Sequence, residues 1–392
     1  LNIIYSFFNR RFSFFQKLVF EKIVLHFDND FSVKINKQVK DKSKFEINFR
    51  FFDEDKKIDE LIYNDKNDIY NQIERVSPQF RRIDAEKWLD RKTDTIMRID
   101  EIENYLNPNF LFAESENNFR IKNPKVINLL KTFKVHLIKE QRLFKKIEER
   151  NGPSSLRERN SSYMTDTIRE YAKELNQEIE KTLQKSLQIS QELDSSFPKR
   201  LLSEAGKLTA EEFSNRFIIL KDKQSKLKEY GLSESEQEVP DFDQENAKVL
   251  FVYLKDSERK ISIFDNLLAK LELFTNILND RRFTFKSIKI HKEKGFIFWT
   301  DQGKELNLTD LSSGEQHEVV LLYELIFKTE ENTLVLIDEP EISLHITWQK
   351  EFLNDLLRII DLQKMQVIVA THSPQIINGR WDLVYNLENS KN

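Results

Sequence analysis

The stretch Leu334-Val335-Leu336-Ile337-Asp338-Glu339 constrains this chain more than any other: four apolar residues in a row end abruptly in two carboxylates. An apolar run without alternation reads as a strand covered on both faces, which is the pattern of a parallel sheet sandwiched by helices. The segments around it agree. The sequence predicts a helix from Glu315 with Val319, Val320, Leu322, Leu325 and Ile326 on its inner side. A strand at Thr333 to Asp338, a helix near Thr347 to Ile360 and a strand at Gln366 to Thr371 then follow. Helix alternating with apolar strand is a parallel α/β core.

The rest of the chain divides around this core. Leu1, Ile4, Phe7, Phe8 and Phe12 stand at helical spacing, so the chain opens in an amphipathic helix over Leu1 to Phe12. Leu18 to Phe27, Phe31 to Lys37 and Lys44 to Phe52 are rich in β-branched and aromatic residues and are split by Asp/Asn and Lys/Asp turns, which predicts an antiparallel β subdomain. Lys56 to about Asn107 reads as mostly helical and polar. Val135 to Ile138 is a short apolar run followed by Lys139-Glu140-Gln141-Arg142.

Beyond the breaker cluster Asn151-Gly152-Pro153-Ser154-Ser155 the composition changes to long helices. Met164, Ile168, Tyr171, Leu175, Ile179, Leu183 and Leu187 form one apolar stripe, ending before Ser195-Ser196-Phe197-Pro198. Ala247, Leu250, Leu254, Ile261, Phe264, Leu268, Leu271 and Leu278 form a second, with polar slips at Ser257 and Thr275, as in a seam of packed antiparallel helices. Arms of this length reach about 50 Å, which suits a short stalk or helical lobe or simply the core of a helical domain. Strands return at Phe285 to His291 and Phe296 to Trp299.

Composition removes several functions. The chain has no cysteine, so disulfides and thiolate metal sites are excluded. No run approaches the roughly 20 apolar residues of a membrane-spanning helix, and no charged segment followed by an apolar run opens the chain, which predicts a soluble, cytoplasmic protein. With 62 basic and 66 acidic residues, total charge gives no basic excess for nucleic acid. Arg10-Arg11 and Arg81-Arg82 remain open either as local contacts or as solvated surface pairs.

Chemistry gathers in three places. Asp338, at the carboxyl end of an α/β strand where such sheets bind ligands, is suited to hold Mg²⁺, and Glu339 one residue beyond it to orient or deprotonate an attacking water. A plain strand-to-turn junction is the structural alternative. Leu311-Ser312-Ser313-Gly314-Glu315-Gln316 precedes a helix, and its hydroxyls, glycine amide and positive helix end make an anion cradle, although Ser-x-x-Glu is also an ordinary capping box. His372 follows the last strand, where an imidazole reaches a terminal phosphate oxygen or serves only the loop.

Glycine cradle, helix, acidic strand, helix, strand and histidine, in that order, resemble the ABC ATPase superfamily. Leu311 to Gln316 resembles its signature motif, Leu334 to Glu339 its Walker B strand, and Ala370-Thr371-His372-Ser373 its switch histidine segment. Glu341-Ile342-Ser343-Leu344-His345 stands at the D-loop, where His345 replaces the aspartate of transporter subunits. Pro340-Glu341 followed by Ser-Leu-His is similar to AAA-type ATPases of bacterial defence and repair, of the SMC-like and overcoming-lysogenization-defect-like groups. The resemblance implies a Q-loop role for Gln141 at the nucleotide and its Mg²⁺, with a surface glutamine as the alternative. No G-x-x-x-x-G-K-[ST] occurs among the 392 residues, so the resemblance also implies that the P-loop has been cut away upstream and that Leu1 to Phe12 is the remainder of the helix after it.

The expected architecture is an α/β ABC-ATPase head, with a parallel core sheet and antiparallel β subdomain, carrying an inserted helical or coiled-coil lobe. Residues 1–144 and 284–392 would form the head and 145–283 the insertion. The implied function is ATP binding and hydrolysis with Mg²⁺. Catalysis would fall to Glu339 and His372, the metal to Asp338 and Gln141, and nucleotide contacts to Ser312, Ser313, Gly314, Glu315 and Gln141. Two heads would close on ATP as a homodimer that controls an effector protein or DNA, in anti-phage defence or DNA repair and without a membrane. An ABC transporter ATP-binding subunit and a non-catalytic interaction module are the alternatives.

Overall fold

The computed structural model describes residues 1–28, 30–41, 44–64, 79–83, 87–91, 95–98, 121–139, 143–147, 163–203, 206, 208–233, 242–281, 283, 285–342 and 344–386. The opening segment forms two helices in place of the single one expected: α1 (Asn2–Phe8) and α2 (Ser13–Lys17). Arg10 takes a left-handed φ of 58° between them. Asn9 Nδ2 donates to the Val135 carbonyl (3.1 Å) and the Arg10 guanidinium to that of Leu130 (3.0 Å), bonds that turn the chain so that Phe12 and Phe15 re-enter the core used by Phe7.

The strands β1 (Lys22–His26), β2 (Phe31–Asp41), β3 (Lys44–Asp53) and β4 (Lys56–Asn64) make an antiparallel sheet in that order. Three more, β5 (Phe80–Arg82), β6 (Lys87–Asp90) and β7 (Thr95–Arg98), form a second. Over the described residues of Lys56 to Asn107 the helical reading is therefore corrected to strand, and the rest of that segment, including 65–78 and 99–107, lies outside the described residues. Along β4 the residues alternate, with Leu61 and Tyr63 buried while Glu60 turns outward to bond Arg50 at 2.7 Å. The joining turn, Glu54-Asp55, has positive φ at both residues (47° and 62°), the geometry of a two-residue hairpin normally built from Asn-Gly. Without glycine that signal was hidden.

After α3 (Pro124–Thr132), β8 (Lys134–Ile138) and the antiparallel pair β9 (Phe144–Ile147) and β10 (Tyr163–Asp166), the helices begin. They are α4 (Thr167–Ser203), α5 (Ala210–Glu229), α6 (Ala247–Ser262) and α7 (Asp265–Arg281). Met164 falls on β10, outside the first helical stripe. Contrary to expectation α4 runs through Pro198, with side chains bonded to carbonyls of the turn before it. The Glu192 carbonyl accepts from the Ser195 (3.0 Å) and Ser196 (2.7 Å) hydroxyls, and that of Leu193 from Arg200 (2.6 Å). The second stripe is carried by two successive helices, α6 and α7. Of its polar slips, Thr275 is buried and donates to the Leu271 carbonyl at 2.8 Å.

The last part comprises β11 (Lys286–His291), β12 (Gly295–Thr300), β13 (Glu305–Leu306), α8 (Ser313–Tyr323), a π-type turn (Glu324–Lys328), β14 (Thr333–Asp338), α9 (Ile346–Gln363), β15 (Gln366–Ala370) and α10 (Pro374–Ile377). The parallel sheet has the order β15-β14-β8. Its middle strand separates two cores. Val335 and Ile337 pack into one with the helices α4 to α9, while Leu336, on the opposite face, packs into the other with Phe7, Phe49 and Phe51.

Helix α4 belongs to the first core through Ile168, Tyr171, Ala172, Leu175 and Ile179. It approaches β12 so closely at Gly295, where φ is +76°, that an added Cβ would overlap the Ala172 carbonyl oxygen. Only glycine meets both demands. Gly295→Ala should lower stability by about 2–3 kcal/mol, read as a shift of the urea midpoint, because backbone on both sides resists displacement.

Candidate functional site

The parallel ladder pairs Asp338 with Ala370, and Glu339 N–H extends it by donating to the Ala370 carbonyl at 2.9 Å. The chain then breaks away: Glu339 has φ 43°, a left-handed conformation that is strained for a side chain with a Cβ. Asp338 is half-buried, and its carboxylate takes no hydrogen bond or ion pair from any described residue. Glu339 Oε1 lies 3.7 Å from His372 Nε2, across the gap between the ends of β14 and β15. The imidazole is 92% exposed, so a ligand approaching this edge meets it directly.

The segment after Glu339 is tied to the segment after β15. Glu341 Oε2 accepts from the Thr371 hydroxyl (2.8 Å), and its Oε1 from the backbone N–H of His372 (2.9 Å). Gln349, on α9, donates to the carbonyls of Leu344 (3.1 Å) and Glu341 (3.4 Å), and its Oε1 lies 2.9 Å from the Ser373 hydroxyl. His345 caps α9: its Nδ1 accepts from Thr347 N–H (3.4 Å) and lies 2.8 Å from the Thr347 hydroxyl. It supplies the acceptor that caps this helix.

The second group lies at the start of α8. Ser312 is the cap: its hydroxyl accepts from Glu315 N–H (3.4 Å) while Glu315 accepts from Ser312 N–H (2.8 Å). Both oxygens of Glu315 also take bonds from Lys286 Nζ at 2.8 Å. Burial pushes the Glu315 carboxyl up, but the Lys286 and Ser312 bonds outweigh it and hold the group below its ordinary value. Ser312 and Glu315 are thus engaged by the helix itself, while Ser313 is exposed. Gln316 fixes the entry strap by donating to the Leu311 carbonyl at 2.8 Å.

Of the residues expected at a nucleotide, Asp338, Glu339 and His372 are brought together. Ser312 to Glu315 form a separate set, and no hydrogen bond or ion pair joins the two sets among the described residues. Gln141 lies outside the described residues. No cluster of three or more His, Asp or Glu with metal-ligand geometry occurs among the described residues. A magnesium ion carried by a phosphate needs one or two protein carboxylates, which the unengaged Asp338 fits. The phosphate cradle itself is not supplied by any Gly-Lys-Ser/Thr loop within the 392 residues. Sequence reasoning missed the part taken by Gln349, whose partners lie five to 24 positions away with no local pattern to mark them.

Two predictions follow from these contacts. Because the folded-state value of Glu315 is depressed, its stabilisation is present above the ordinary carboxylate range and is lost as pH falls through the folded value. Glu315→Gln should therefore cost roughly 1–2 kcal/mol at pH 7, and the difference should shrink as pH falls through the folded-state value of Glu315, by urea denaturation across a pH series. At position 339, the glycine variant should be more stable than the alanine variant by about 1 kcal/mol, since both lack the carboxylate and only glycine accepts the left-handed backbone freely.

Residues 1–377 match the family described as AAA ATPase domain. A stretch of 143 residues is 27% identical to the uncharacterized ABC transporter ATP-binding protein YfmM of Bacillus subtilis (strain 168), covering 36% of this chain and 26% of that protein. Seventy residues are 36% identical to protein ea59 of Escherichia phage lambda, covering 18% of this chain and 13% of that protein. The matched stretches thus span about a quarter or less of each relative's length. The family match takes in α1, the antiparallel sheet, the long helices, the parallel sheet and the Asp338-Glu339-His372 site together, and on that ground the chain belongs to the AAA ATPase domain family.

Proposed function

We propose that this chain is the ATP-binding and ATP-hydrolysing head of an SMC-like or overcoming-lysogenization-defect-like ATPase, working as a nucleotide-driven dimer clamp in bacterial defence or DNA repair. The observation that carries the reading is the end of β14. A free carboxylate, Asp338, stands there beside Glu339, and His372 faces Glu339 at 3.7 Å. Bound ATP with Mg²⁺ supplies the phosphoryl group and its counter-charge.

The chain's own residues divide the remaining work. Asp338, with Gln141, would hold the metal, and Glu339 would orient a water and take its proton. His372 would contact the terminal phosphate, consistent with its exposure. Ser313 and the Gly314 amide, at the positive end of α8, would meet the phosphate held by a second copy. Residues 1–144 and 284–392 would then be the head and 145–283 a helical lobe moved by closure, acting on an effector protein or DNA.

A second reading, an ABC transporter ATP-binding subunit, is favoured by the name of the Bacillus relative. No described helix is long and apolar enough to cross a membrane, so that reading requires a separate permease. Co-fractionation with membranes would support it. The long helices α4 to α7 favour the clamp.

The deciding experiment uses the product of the complete reading frame. Glu339→Gln should lower phosphate release from ATP at least about 100-fold, the usual scale for losing a general base. Light scattering should still show an ATP-dependent dimer, longer-lived than that of the unsubstituted protein. Undiminished turnover, or no dimer with ATP, would overturn the clamp; no ATP binding at all would favour an interaction module.

A further inference from the structure

His372 poses a physical problem. A side chain that is 92% exposed has little packing to hold it, and ordering it costs rotamer entropy, yet its Nε2 stands 3.7 Å from Glu339. Its placement has to come from the backbone that carries it. The β14–β15 ladder supplies one tie, from Glu339 N–H to the Ala370 carbonyl, and stops two residues short of His372.

The next ties come from a single carboxylate. Glu341 takes the Thr371 hydroxyl on Oε2 (2.8 Å) and the His372 N–H on Oε1 (2.9 Å), so its two oxygens fix two consecutive residues. The Thr371 hydroxyl in turn accepts from Ser373 N–H at 3.0 Å, closing a tight turn around His372. The Ser373 hydroxyl stands 2.9 Å from Gln349 Oε1 and 3.0 Å from Gln375 Oε1, one proton between two acceptors, and Gln349 Nε2 returns to the Glu341 carbonyl. These contacts form a closed ring through Glu341, Thr371, Ser373 and Gln349. Within it Glu341 is only two residues from Glu339 in sequence, while its side chain holds His372 from across the sheet end.

We propose that Glu341 is the positioning residue that holds His372 against Glu339, with Gln349 and Ser373 bracing it. The consequence for turnover rests on the ATPase reading above; the mechanical part does not. A carboxylate suits the task because it offers two acceptors in one plane and makes charge-assisted bonds to N–H and O–H donors. Glutamine keeps one carbonyl acceptor at the same reach, and alanine keeps none.

The test compares Glu341→Ala with Glu341→Gln in the product of the complete reading frame. In the alanine variant the His372 amide should exchange with deuterium about tenfold faster, as expected when a hydrogen bond at a surface turn is lost, while amides of β14 and α9 keep their protection. The glutamine variant should recover most of the loss. An unchanged His372 amide in the alanine variant would overturn the assignment, as would exchange rising equally in β14, which would mean general loosening. For ATP turnover, kcat should fall about 10- to 100-fold with KM within about twofold, the pattern of a group acting on the chemical step, and glutamine should restore it to within about threefold. Unchanged kcat beside a Glu339→Gln control that has lost activity would refute the catalytic role of the positioning and leave the ATPase reading standing. If Glu339→Gln keeps its activity, the ATPase reading fails, and amide exchange alone decides whether Glu341 holds His372. Should alanine prevent folding, Thr371→Val, which deletes one of the two bonds to Glu341 together with the Ser373 N–H bond, should show intermediate exchange at His372.

Discussion

The parallel pairing of β14 between β8 and β15 is the interaction on which the rest of the protein depends. Val335, Leu336 and Ile337 are each completely buried, and because side chains alternate along a strand they cannot share a face. Val335 and Ile337 anchor the core that includes the long helices, and Leu336 anchors the aromatic core beneath the antiparallel sheet. Together with β8, whose Ile138 lies in the first cluster and Val135 in the second, this strand joins the two hydrophobic clusters. Its last residues inherit that rigidity, which is why carboxylates at its end can be held to a fixed geometry.

The site itself is built by two different means. At the sheet end, loops are held by side chains: Glu341 and Gln349 reach over the turn that carries His372, and Glu339 stays in a left-handed conformation because its neighbours are fixed on both sides. At the start of α8, a local capping box and the Lys286–Glu315 pair hold the chain with no long reach beyond Lys286. Between the helices and the sheet, Tyr171 of α4 stacks on Tyr323 of α8 with ring centroids 4.5 Å apart and hydrogen-bonds Glu324. Burial, reinforced by the charge and bond of Glu324, raises the Tyr171 hydroxyl well above its ordinary value, so it stays protonated as a donor. These contacts link the long helix to the helix that begins with Ser312 to Gly314.

Much of this was legible from residue pattern. The boundaries of β14 follow from an apolar run closed by two carboxylates, and β15 and α9 differ from expectation by a few terminal residues. The capping box of α8 is visible in Ser-x-x-Glu. Three features were misread for physical reasons. Lys56 to Asn64 has so many charged residues that its two-residue alternation was obscured, and its Glu54-Asp55 turn lacks the glycine that usually marks such a hairpin. Helix α4 continues through Pro198, although a proline inside a helix lacks the N–H that meets the carbonyl four residues back and so reads in a sequence as a stop. Helix α1 ends at Phe8 because Asn9 and Arg10 find carbonyl partners more than 100 residues away.

Residue pattern alone sets the parallel α/β core, the placing of Asp338 and Glu339 at a strand's carboxyl end, and the cap that opens α8. These depend on periodicity and on residues a few positions apart, which local sterics and hydrogen bonding fix. Which carboxylates stay unengaged and which hold the chain follows from the folded arrangement. Asp338 is left free, Glu315 is neutralised by Lys286 from another element, and Glu341 is turned to the backbone of His372, 31 positions away. Such pairings depend on which strand ends the sheet brings side by side, and no local pattern encodes that.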